Sequence, residues 1–167
     1  MRRLFAIGAL AVGLLAVGSS EAYAQRYETF MFVPGIPGSA TDANHAEWIE
    51  VLAMSQGVST TKKAVACLDV SIVKRLDQAG PARWAAAAVG QVFPEVRIEV
   101  VKNGEFSGVL YDIRISNAKV TSSQTSGSSE LPMESVSFSY QSIKLTFNSQ
   151  DAKGGFIPGV PQTIDCQ

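Results

Sequence analysis

Between Val70 and Glu105 the chain sets two apolar-alternating segments on either side of one short alanine-rich helix. In the first, Leu68, Val70 and Ile72 share one face while Cys67, Asp69 and Ser71 share the other, the period of two that a half-buried strand requires. The helix is predicted over Pro81 to Val89. Proline suits a first helical turn, where its missing N–H has no partner to lose. Ala85 to Ala88 has the highest helix propensity, and Gly90 follows as a C-terminal cap. About nine residues do not persist as a free helix, so this one must pack on strands. Trp84 carries its largest side chain and is the expected anchor to the sheet. After it, Val96, Ile98 and Val100 alternate up to Asn103-Gly104, a strong hairpin signal. Val109, Tyr111, Ile113 and Ile115 return opposite in phase to Leu110, Asp112, Arg114 and Ser116.

The remaining segments add strands. Arg26 to Val33 is stopped by the Pro34–Gly38 turn, and Ser39 to His45 reads as loop. Trp48 to Ser59 and Val65 to Arg75 read as strands, and Ser122 to Ser129 as a Ser/Thr/Gly loop. Glu134 to Phe147 begins with Val136, Phe138 and Tyr140 inward and ends with Ile143, Leu145 and Phe147 inward. A strand that swaps its apolar face midway carries a bulge or bends from one sheet to another. Asn148 to Gln167 is a Gly/Pro-punctuated tail in which Phe156 and Ile157 are candidate docking residues. The expected fold is mainly β: an antiparallel β-barrel of two packed sheets with one short α-helix, in a single domain.

The N-terminus reads as a cleavable leader. Arg2 and Arg3 precede an apolar run from Leu4 to Val17, and Ala22-Tyr23-Ala24 precedes Gln25. The predicted cut lies between Ala24 and Gln25. The run of about 14 residues is shorter than the roughly 20 that span a bilayer, a retained anchor being the other reading. The expected organisation is a signal peptide over 1–24, a barrel domain over 25–147 and a tail over 148–167. An exported, periplasmic or secreted protein follows, with no membrane attachment after cleavage. Export also places the two cysteines, Cys67 and Cys166, in an oxidising compartment. Cys67 lies on the polar face of its strand, where a tail residue could reach it, so one intrachain bridge is a candidate; unpaired thiols or an intermolecular bridge are the alternatives.

Chemistry-bearing patterns are few. With 14 Lys/Arg and 15 Asp/Glu, the chain has no basic excess for nucleic acid. Lys62-Lys63 and Lys74-Arg75 read as solvated strand ends. His45 is the single histidine, which excludes a multi-histidine metal site. It reads as a loop or capping residue beside Asp42 and Asn44. No G-x-S-x-G elbow presents a serine, and no glycine-rich phosphate loop is present. Glu95 and Glu99 read as solvent-facing strand residues. No catalytic residue, cofactor or metal is expected, and a secreted enzyme is the weakest of the readings.

Several blocks, in order, carry a resemblance. Phe30-Met31-Phe32-Val33 is followed by Gly35-Ile36-Pro37-Gly38-Ser39. Next come His45-Ala46-Glu47-Trp48-Ile49-Glu50-Val51-Leu52 and the Ser71–Trp84 element, with Lys74 and Asp77 in a Lys-x-x-Asp spacing. Val120-Thr121-Ser122 through Gly127, then Pro132-Met133-Glu134-Ser135-Val136-Ser137, close the set. Together they resemble the haemolysin co-regulated protein (Hcp) family, the tube protein of bacterial type VI secretion. The resemblance implies a non-catalytic β-barrel subunit that forms homohexameric rings. It also implies ring stacking into a tube, partnership with a spike protein and a sheath, and carriage of small effectors. Many family members have a longer Gly-rich connection where this chain has only Thr60 to Ala64, and typical members lack a leader. The leader favours a second reading, an exported periplasmic or extracellular binding module on the same fold.

Overall fold

The computed structural model describes residues 26–60, 64–104, 106–127 and 131–166. The expected leader and its Ala24/Gln25 site lie outside the described residues. The elements are β1 (Arg26–Phe32), β2 (Ile49–Val51), β3 (Ala53–Thr60), β4 (Val65–Arg75), α1 (Ala79–Val89), β5 (Val92–Asn103), β6 (Gly108–Ser126), β7 (Met133–Ser139), β8 (Ser142–Phe147), β9 (Ser149–Gln150), β10 (Phe156–Ile157) and β11 (Gln162–Asp165). The fold is mainly β and antiparallel with one helix, as expected from the alternation.

A nine-stranded sheet follows the order β2-β1-β5-β6-β7-β4-β3, with β8 beside β6 and β11 beside β8. This path does not close as one ladder, and β9 and β10 pair separately as a small second sheet. The path's two ends are nonetheless pieces of the same segment. β2 and β3 are separated only by Leu52, whose N–H donates to the Val73 carbonyl at 2.8 Å. The single strand expected over Trp48–Ser59 is therefore bent at Leu52, so that one half serves β1 and the other serves β4.

The face swap predicted within Glu134–Phe147 has a clear physical origin. β7 and β8 lie along the same side of β6, with a shift only farther along, between Val120 and Ser122, and keep one register across their junction, Lys119 opposite Ser139 and Ser116 opposite Ser142. Between them Asn117 takes a left-handed φ of 48°, a conformation asparagine tolerates better than most residues. Its Nδ2 donates to Gln141 Oε1 at 2.6 Å. Across this level the buried set moves from Ala118 and Val120 to Ile113 and Ile115 on β6, and from Val136 and Phe138 to Ile143 on the β7–β8 line. On β5 it moves from Phe93 to Val96 and Ile98, across Pro94. Three neighbouring strands turn their faces together, and that common kink bends the wall around one core.

Two local expectations need correction. The loop read over Ser122–Ser129 is strand as far as Ser126, where Ser122–Ser126 pair with Ser137–Met133 of β7. Pairing with a neighbour, not composition, decides that stretch. The Asn103-Gly104 turn is also longer than a two-residue hairpin, because β5 ends at Asn103 and β6 starts at Gly108.

Candidate functional site

The helix meets the wall through charge, not through an aromatic ring. On β4 the inward phase set by Val70 and Ile72 continues to Lys74, and on β7 the phase of Phe138 and Val136 continues to Glu134. The register places Val70 opposite Phe138, Ile72 opposite Val136 and Lys74 opposite Glu134. Lys74 Nζ lies 2.8 Å from Glu134 Oε2 and 2.7 Å from Asp77 Oδ1. Arg83 of α1 adds its Nη2 to the same Glu134 oxygen. Lys74 and Arg83 are fully buried, as is Glu134 at 1% exposure. Asp77, one residue before the N-cap Gln78, also accepts from the Ala79 N–H at 3.0 Å, where a helix start favours negative charge.

The helix is consequently inverted relative to the expectation for Trp84. Ala79, Gly80, Arg83 and Ala86 form its buried side. Small residues let it approach the sheet closely; a Cβ on Gly80 would sit 2.9 Å from Glu134 Oε1. Arg83 fills the remaining depth with its apolar stem and delivers its head group to the carboxylate. Trp84 lies one residue on, about 100° around the helix, and is 50% exposed. It is not the anchor within this chain. Pro81, Ala82, Ala85, Ala88 and Val89 are exposed beside it, an apolar surface with no charged residue. The left-handed cap at Gly90 (φ 64°) closes the helix as expected. Lys74, read as a solvated strand end, is instead internal, whereas Arg75 is exposed.

A second charge cluster lies on the outer side of β1 and β5. The Gly38–Trp48 loop folds over Phe30 and Val101 and brings His45 down onto them. The His45 ring stacks on Phe30 at 4.5 Å and meets Trp48 edge-on at 4.9 Å. Its Nδ1 lies 2.6 Å from Asp42 Oδ1 and its Nε2 lies 2.8 Å from Glu99 Oε2. Glu99 is 4% exposed, which corrects its reading as a solvent-facing residue; Glu95 does stay exposed. From Glu99 the network continues through Arg97 to Asp112 (2.8 Å) and on to Arg114 (2.9 Å). A hollow of about 350 Å³ opens beside it, lined by Trp48, Val101, Asn103 and Ser107 among others. Because both ring nitrogens are committed to carboxylates, His45 has neither free to act as a general base. It clasps the loop to the barrel. Among the described residues no group of His, Cys, Asp and Glu is arranged to hold a metal ion.

The clasp has an acid limit. The hydrogen bond from His45, chiefly, holds the Asp42 carboxyl below its ordinary range. A carboxylate depressed in the folded state contributes stability above its unfolded value and loses it as pH falls through the folded one. Amide exchange in the Gly38–Trp48 loop is therefore expected to accelerate, beyond its intrinsic pH dependence, only below about pH 4. Unchanged loop protection at pH 3 would show that the aromatic stack alone holds it.

The cysteines are joined. Cys67 of β4 and Cys166, just past β11, form a disulfide with Cα atoms 5.4 Å apart. The tail is docked as a strand: Gln162–Asp165 pair with Leu145–Ser142, and Phe156 and Ile157 form β10 against β9.

Known proteins share this architecture. Protein hcp1 of Pseudomonas aeruginosa is 26% identical over 140 residues, covering 76% of this chain and 86% of that protein. A solved structure described as a type six secretion system protein superposes with a TM-score of 0.77 at 22% identity, covering 84% of this chain and 96% of that one. Hcp1 from Salmonella typhimurium superposes with a TM-score of 0.72 at 20% identity, covering 84% and 95%. These structural likenesses speak for the fold. The family described as "Type VI secretion system effector, Hcp" matches residues 30–147, from within β1 to the last residue of β8. With β2 to β8 matched in full, the chain belongs to the Hcp family of type VI secretion proteins.

Proposed function

We propose that this chain is a non-catalytic structural subunit that assembles into homohexameric rings, a tube building block and carrier of small effectors. The observation that supports this reading best is the inverted helix. A nine-tenths apolar α1 turns its one charged side chain inward and offers Trp84, Val89 (78% exposed) and a row of alanines to solvent. An uncharged apolar face on a packed helix suits a permanent partner. In an Hcp-family chain that partner is a second copy, placed head to tail by a rotation that closes. Spike, sheath and effector contacts belong to the same reading.

Light scattering and negative-stain microscopy of residues 25–167, over a range of concentrations, test it. Closed rings are the expected result. Stacking into long tubes is expected to be poor, because Thr60 and Val65 are directly paired across the β3–β4 connection and so short a turn offers little contact area. Trp84→Glu is expected to give monomers while changing monomer stability by less than about 1 kcal/mol, as at other surface sites. A strict monomer from the unsubstituted chain would overturn ring formation, and long tubes would show that the short turn is no obstacle.

The disulfide favours a second reading, an exported binding module with the Hcp fold. A Cys67–Cys166 bridge persists in an oxidising compartment, and the leader-like N-terminus agrees with export. An oxidised, strictly monomeric protein recovered outside the cytoplasm would support this reading over the first.

A further inference from the structure

Where β7 gives way to β8, two chain segments laid end to end complete the wall. β4 runs antiparallel to β7 as far as Val70 opposite Phe138. β11 runs antiparallel to β8, ending with Asp165 opposite Ser142. Both run in the same direction beside one strand line, so the end of β11 arrives at the point where β4 joins that line. The Cys166 N–H donates to the Gln141 carbonyl at 2.8 Å, at the junction itself. Before Val70, β4 belongs with β3 instead, pairing Val65–Leu68 with Thr60–Gly57. The disulfide thus ties the tail strap to the base of the β3–β4 hairpin across a seam in the sheet.

We propose that the Cys67–Cys166 bridge is a redox-operated lock on this seam. Oxidised, it seals β11 against β8; reduced, it releases the strap and opens the β8 edge from Ser142 to Leu145, with the rest of the barrel still folded. The strap is weakly held by everything else. It is four residues long, three of them are exposed, and only Ile164 packs against the core. An edge strand with one apolar contact gains little beyond its ladder hydrogen bonds to offset the entropy of ordering it.

The flanking structure has its own ties and stays in place. Tyr140 donates its hydroxyl to the Leu68 carbonyl at 3.0 Å, and Thr121 Oγ1 donates to Asp69 Oδ2 at 2.5 Å. At the other end Asn148 donates from Nδ2 to the Val109 carbonyl (2.9 Å) and accepts from the Gly159 N–H (3.1 Å). The strap therefore swings from about Val160 onward.

The chemistry is thiol–disulfide exchange with a dithiol, for which both half-buried cysteines are within reach of solvent. One thiolate of the dithiol attacks a sulfur of the bridge, forming a mixed disulfide and expelling the other cysteine as thiolate. The second thiol of the dithiol then displaces the remaining cysteine. Cys67 and Cys166 gain two electrons and two protons, and the dithiol becomes a disulfide. The seam is accordingly sealed only after the chain reaches an oxidising compartment. This lock does not depend on ring formation, which is measured separately on the oxidised protein.

Hydrogen exchange read by mass spectrometry tests the lock on residues 25–167, with and without dithiothreitol. Reduction is expected to speed exchange in Ser142–Phe147 and Gln162–Cys166 about tenfold or more, leaving β1 and β5 protected. A Cys67→Ser/Cys166→Ser double variant should reproduce that pattern without reductant. Unchanged protection of β8 and β11 in both samples would overturn the proposal. So would opening of β1 and β5 at the same rate as the strap, because the strap would then open only together with the whole barrel.

Discussion

Glu134→Ala is expected to destabilise the barrel by roughly 3–5 kcal/mol, the scale for leaving a buried charge without its partner. Glu134 Oε2 is the shared acceptor for Lys74 and Arg83, both fully buried. Without it, Asp77 faces two cations alone, at 2.7 Å from Lys74 and 3.8 Å from Arg83. Neither can escape to water: Lys74 is fixed by the β4–β7 register, and Arg83 lies beneath the helix. Urea denaturation at neutral pH measures the effect. The comparison with a triple replacement is equally informative. Lys74→Met, Arg83→Met and Glu134→Leu together are expected to cost much less than Glu134→Ala alone, because well-packed apolar groups can match a buried ion pair once no charge is orphaned. A loss below about 1 kcal/mol for Glu134→Ala would mean that the cations relax to solvent and that α1 is held by its small residues.

Removing the disulfide with Cys67→Ser/Cys166→Ser is expected to lower global stability by about 2–4 kcal/mol. The bridge joins residues separated by 99 positions, a long enough loop for the chain-entropy model to give about 4.7 kcal/mol as an upper figure. That effect acts on the unfolded chain, so it is compatible with a barrel that stays folded at the bench when reduced. It also has its own signature: an unbridged unfolded state exposes more surface, and the denaturant slope should rise as the midpoint falls. The reduced unsubstituted protein should match the variant in both quantities. Equal midpoints for oxidised and reduced protein would show that native-state strain cancels the entropic gain.

Much of this protein was legible residue by residue. Alternation defines β4 over Val65–Arg75, and α1 ends at the glycine read as its cap. The face swap in Glu134–Phe147 by itself implies a bent wall. The charge cluster was also within reach, since Lys74 and Glu134 extend the inward phases of Val70–Ile72 and Phe138–Val136 by one step each. Treating charged residues at strand ends as solvated hid it. Glu99 and His45 are different. No local pattern predicts that a loop from before β2 will fold back over β5, a partnership across 54 positions.

By itself the sequence determined the mainly β class with most of its long strands, the one helix, the kink and the family, because these follow from short-range periodicity, turn chemistry and motif order. Only the tertiary structure decided the rotation of α1. Composition favours burying the indole of Trp84, but the carboxylate of Glu134 and the close approach allowed at Gly80 bring Arg83 to the inner side instead. It likewise decided that Cys166 reaches Cys67, because β11 must first find the β8 edge. Both outcomes rest on contacts between residues far apart in the chain. The energy of such contacts depends on which neighbours are already in place, and local sequence does not carry that information.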